Sequence, residues 1–63
     1  MYEKYSEIRS RKGLNDQKVS QITGIPRSMF SDWKHGRSKP KTEKLVKIAK
    51  ILECSVMELI GEE

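Results

Sequence analysis

The chain has 63 residues, enough for one domain that buries only about 60% of the surface its unfolded chain exposes, so its stability margin is thin. Cys54 is the sole cysteine and His35 the sole histidine, which excludes an intrachain disulfide and a zinc site of ordinary spacing. The net charge of +4 is unevenly spread: Arg27 to Lys50 holds eight basic residues against Asp32 and Glu43, whereas Ile51 to Glu63 holds four acidic residues and none basic.

A basic middle and an acidic end point to one face built for a polyanion, although a set of solvated lysines has the same composition. Apolar runs are too short for a signal peptide or a membrane span, so the expected compartment is the cytoplasm.

Periodicity is helical throughout. A first helix carries Tyr5 and Ile8 and stops at Gly13, since glycine accepts the left-handed conformation that ends helices. Leu14 then plugs the core, and Asn15 is a good cap for a second helix. That helix places Val19, Ile22 and Thr23 on one stripe and ends at Gly24. A third begins after Ile25-Pro26, where a missing amide costs nothing, and runs to His35 with Gly36 as the stop.

Arg37 to Lys41 is a basic loop. The fourth helix buries Leu45, Ile48, Ala49 and Leu52 and turns Lys44, Lys47 and Lys50 to solvent. A short fifth helix opens at Ser55, with Glu58 completing a capping box and Cys54 facing Leu59 as a hydrophobic staple. Cys54 therefore reads as a small buried hydrophobe rather than a reactive thiol. The expectation is a single all-α domain over residues 1–63, with five short helices.

The second and third helices meet through Thr23-Gly24-Ile25-Pro26, a glycine-containing turn of the length that crosses two helices steeply. On a wheel of about 100° per residue, Pro26, Phe30 and Trp33 fall together with Met29 on the flank. Arg27, Ser28, Ser31, Asp32 and His35 take the opposite arc, and every one of them carries a hydrogen-bonding group. Such an arc, free of bulky apolar groups, is what a helix needs to enter a DNA major groove roughly 12 Å wide.

Leu14 to Ser20, Gly24 to Gly36, Lys39-Pro40, and the later Leu45, Ile48-Ala49, Leu52, Ser55 and Leu59 together resemble the Cro/CI-type (Xre) repressor family. The resemblance runs from about Tyr5 to Ile60. It implies a lambda-repressor-like five-helix domain, a helix-turn-helix made by the second and third helices, and a repressor of bacterial or phage context that binds double-stranded DNA. Regulators of this type often carry a further dimerisation or sensor domain, and the sequence leaves open whether one follows.

Four positions depart from the family pattern. Lys34 stands where a glutamate usually pairs with the arginine matching Arg9, so that internal bridge is lost or replaced. Pro26 removes a capping hydroxyl, and Ser20 replaces a common alanine at the contact between helices. Asp16 stands where a glutamine often donates to a phosphate; a carboxylate cannot donate, so its expected role is to stabilise the positive end of the second helix.

The family pattern assigns base contacts to Arg27, Ser28 and Asp32. Arg27 suits a bidentate contact to guanine, with a phosphate clamp as the alternative. Ser28 donates and accepts, and is otherwise an ordinary helix-start residue. Asp32 is repelled by phosphates unless it accepts from cytosine or orients a basic side chain; the alternative is a purely intramolecular ion pair. Ser31 faces the same way and joins the base-reading set. Phosphate contacts are expected from Asn15 and the amides beside it, and from Lys18, His35, Arg37, Lys39 and Lys41, where solvated side chains are the competing account. Phe30 and Trp33 read as core, not as stacking platforms.

No nucleophile–base pair, phosphate-cradling glycine loop or metal cluster is present, so no catalytic site, cofactor, metal or small-molecule ligand is expected. One recognition helix covers about half a helical turn, and half-sites roughly 34 Å apart call for two copies on a two-fold symmetric operator. Met57 and Ile60 are the apolar groups available for a homodimer contact, unless both only finish the core. The competing function is a protein-interaction module, an antitoxin-type or adaptor domain, that keeps the fold without using DNA.

Overall fold

The computed structural model describes residues 2–60, so Glu62 and Glu63 of the acidic end lie outside the described residues. Five helices follow in order: α1 (Tyr2–Arg11), α2 (Asp16–Thr23), α3 (Arg27–Lys34), α4 (Thr42–Leu52) and α5 (Val56–Ile60). No strand occurs among the described residues, and the all-α architecture expected from periodicity is the one observed.

The stops and caps act where local chemistry places them. Gly13 (φ 72°) closes α1, and the Lys18 amide donates to Asn15 Oδ1 at 2.8 Å to cap α2. Ser55 Oγ accepts from the Glu58 amide at 3.0 Å at the start of α5. The end of α4 is less obvious, because Glu53 takes a left-handed turn (φ 55°) that usually falls to glycine. Its carboxylate accepts from Lys12 Nζ at 3.0 Å, which ties the α4 end to the α1 end.

The core gathers Tyr5 and Ile8 from α1, Val19 from α2, Ile25 from the turn, and Phe30 and Trp33 from α3. Leu45, Ile48, Ala49 and Leu52 from α4 and Leu59 from α5 complete it. Half-buried Leu14, Cys54 and Ile60 pack against this cluster, as expected of Leu14 and Cys54. The α1 helix packs on α3 and α5, and α2 packs on α3 and α4, so the helix-turn-helix is supported from behind. Tyr5 lies 4.7 Å from Trp33 and 5.7 Å from Phe30, ring centre to ring centre. This aromatic contact fixes the inner face of α3 and leaves its outer face bare.

Two sequence expectations fail. Ile22 is 51% exposed rather than part of a buried stripe. In α2 the buried face narrows to Val19 alone. Pro26 is exposed, not packed beside Phe30 and Trp33. It precedes the helix with extended torsions (φ −59°, ψ 143°), so a helical wheel does not apply to it.

Candidate nucleic-acid interface

The turn between α2 and α3 is stitched by side chains that the sequence supplies close by. Gly24 is left-handed (φ 77°), and its amide donates to the Ser20 carbonyl at 2.9 Å. Ser20 Oγ donates to the Ile25 carbonyl. Thr23 Oγ1 donates to the Val19 carbonyl at 2.7 Å and accepts the Ile25 amide at 3.2 Å. The hydroxyl of Ser20, a departure from the usual alanine, thus fastens the turn. Pro26 makes no side-chain cap, and these bonds just ahead of α3 hold its entry instead.

At the start of α2, Asp16 stands in the first turn, as its expected role at the positive end of the helix requires, but its carboxylate is engaged by α1. Its carboxylate accepts from Tyr2 Oη and Tyr5 Oη, each at 2.7 Å, and from Arg9 Nη1 at 2.6 Å. Arg9, without a partner at Lys34, has found one at Asp16 across the α1–α2 junction. Burial pushes the Asp16 carboxyl up, but the hydrogen bonds from Tyr2, Tyr5 and Arg9 outweigh it and hold the carboxyl below its ordinary range. Burial and the Asp16 carboxylate push both phenols up, so Tyr2 and Tyr5 remain donors. At the opening of α2, Asn15, Gln17, Lys18 and Gln21 line a shallow depression.

On α3 the division into two faces is sharp. Phe30 and Trp33 are buried and Met29 is half-buried; Arg27, Ser28, Ser31 and His35 are exposed. Arg27 makes no ion pair among the described residues, so its guanidinium is free to act outward. His35 Nδ1 lies 3.0 Å from the Ser31 carbonyl, which holds the exposed ring against the end of α3.

Asp32 stands apart on this face. Its carbonyl accepts the Arg37 amide at 2.8 Å and the Ser38 amide at 3.4 Å, folding the chain back past Gly36. Its carboxylate accepts Arg37 Nε at 3.0 Å. Arg37, Lys39 and Lys41 are exposed, while Pro40 is buried and pins the middle of the loop to the domain. The loop is thus a basic rim fastened to the end of α3.

The residues expected to read bases share the outer face of α3, and those expected to hold phosphate occupy the start of α2, the end of α3 and the adjoining loop. One cluster was not foreseen, and the intramolecular ion pair weighed for Asp32 is present with a partner, Arg37, that the sequence did not single out. The Tyr2–Tyr5–Arg9–Asp16 cluster had one signal, an arginine left without its usual acid. The Asp32–Arg37 pair joins residues five apart, which no helical spacing brings together. The family model for the Cro/C1-type HTH DNA-binding domain matches residues 5–62 of the chain. No curated protein and no solved structure matches it.

Proposed function

The chain belongs to the Cro/C1-type HTH DNA-binding domain family, and on that premise we propose that it is a sequence-specific transcriptional repressor that inserts α3 into the major groove. The observation that carries this reading is the two-faced α3: an inner face locked by Phe30 and Trp33, and an outer arc of polar groups with no apolar obstruction. Arg27, Ser28, Ser31 and Asp32 read base edges in this proposal. Asn15, Lys18, His35, Arg37, Lys39 and Lys41 hold the flanking phosphates. The resemblance to repressors supports repression as the sign of regulation, and the cytoplasm as the compartment.

Two copies occupy a two-fold symmetric operator in this account. Met57, 53% exposed at the start of α5, offers an apolar group for the contact between them, with half-buried Ile60 beside it. The domain binds DNA; no catalytic step is assigned to it.

The test begins with selection of bound duplexes from a random oligonucleotide pool, followed by titrations at several salt concentrations. Arg27→Ala should cost about 1–3 kcal/mol on the selected duplex and flatten preference at one guanine position. Lys39→Ala should weaken all duplexes about equally and lower the log–log salt slope by roughly 1. Binding that ignores salt, or a pool that yields no preferred sequence, would instead favour the protein-interaction module.

A further inference from the structure

Asp32 is an anion on the face that must approach a polyanion, and it is bonded to a cation that the interface needs. The pair is open to both solvent and DNA: the Arg37 side chain is 61% exposed and that of Asp32 43%. Its grip is electrostatic rather than steric, because Arg37 offers only Nε to the carboxylate. The backbone does not depend on that contact. The Arg37 amide is held by the Asp32 carbonyl, so the guanidinium can swing away without unwinding the end of α3.

A phosphate drawn to Arg37 in this arrangement also meets the Asp32 carboxylate, and two anions must share one cation. The contact gains little while the carboxylate remains there. The conflict is relieved when Asp32 finds a donor elsewhere, and major-groove donors are the amino groups of cytosine and adenine. We infer that Asp32 makes the Arg37–phosphate contact conditional on the base beside it, so that the pair is a specificity checkpoint. On unmatched DNA Arg37 stays with Asp32 and adds no phosphate contact. On a matched site the carboxylate turns to the base amino group and releases Arg37 to the backbone.

This inference rests on the proposed use of α3 to read DNA, and its consequences concern salt slopes rather than affinity alone. Each phosphate neutralised adds about 0.9 to the magnitude of the log–log slope on duplex DNA. The probes are a duplex selected from a random pool and a scrambled duplex of the same length, titrated with wild-type, R37A, D32A and D32A/R37A proteins. R37A should lower the slope by about 0.9 on the selected duplex and leave it unchanged on the scrambled one. D32A should raise the scrambled-duplex slope by about 0.9, and the double variant should return it to the wild-type value.

D32N, which keeps the shape of the side chain, should move the scrambled slope in the same direction as D32A. It guards against a folding artefact, and Trp33 emission reports on the fold of each variant. If R37A lowers both slopes equally, Arg37 always holds a phosphate and the checkpoint is refuted. If R37A changes neither, Arg37 is not a phosphate contact and the inference also falls. Both failures leave DNA recognition by α3 standing, whereas a wild-type protein with no salt-dependent binding would overturn that reading as well.

Discussion

Two arginine–aspartate pairs hold opposite kinds of position. Arg9 and Asp16 meet at 2.6 Å with side chains only 15% and 28% exposed, and Tyr2 and Tyr5 both donate to the same carboxylate. Arg37 and Asp32 meet at 3.0 Å in the open, with no other side chain donating to the carboxylate among the described residues. The chemistry is the same; the surroundings decide what it does. Charge-assisted hydrogen bonds shielded from water contribute about 1.5–3 kcal/mol, and losing one partner strands the other. A solvent-exposed pair contributes about 0–1 kcal/mol and yields readily to a competitor. The inner pair therefore joins α1 to α2, while the outer one remains open to solvent.

The largest expected effect breaks the inner side of this contrast. A chain of this length has roughly 3–9 kcal/mol of total stability. Asp16→Ala should remove about 2–3 kcal/mol, because Arg9 and two phenols lose their common acceptor. Urea denaturation followed by Trp33 emission measures it, and a loss under about 0.5 kcal/mol would mean the cluster is decorative.

Acid should produce a smaller, graded version of the same loss. The Asp16 carboxyl is held below its ordinary range, so its contribution is fully present above the unfolded value of about 4 and disappears as pH falls through the lower folded value. Wild-type stability should decline over that acid window, and Asp16→Asn should flatten the decline. An unaltered pH profile in the variant would assign the acid sensitivity to other carboxylates. Smallest of all is the effect expected on the outer side: Asp32→Ala should leave the stability of the free protein within about 0.5 kcal/mol.

The helices were legible because their ends are encoded locally. Gly13 and Asn15 mark one boundary, Gly24 the next, and Ser55 the opening of α5, each through bonds to residues within a few positions. The bare arc of α3 was legible for the same reason, as Phe30 and Trp33 fix which side is buried. Ile22 and Pro26 misled because periodicity extrapolates a regular helix past the reach of its neighbour or past its first turn. The partners within the ion pairs were hidden for a third reason. Arg9 meets Asp16 only after the chain turns between α1 and α2, and Arg37 reaches Asp32 only after the chain reverses beyond Gly36, which is left-handed (φ 74°). Capping is a local property; the choice of partner for a long charged side chain belongs to the tertiary fold.

The central claim, that burial separates a pair that holds the fold from a pair that contributes little to it, is tested most directly by two double-mutant cycles on the DNA-free protein. One cycle combines Arg9→Ala with Asp16→Ala and the other Arg37→Ala with Asp32→Ala, each followed by urea denaturation. The account predicts a coupling above about 1.5 kcal/mol for the inner pair and below about 0.5 kcal/mol for the outer one. Equal couplings, or a larger one between Arg37 and Asp32, would contradict it.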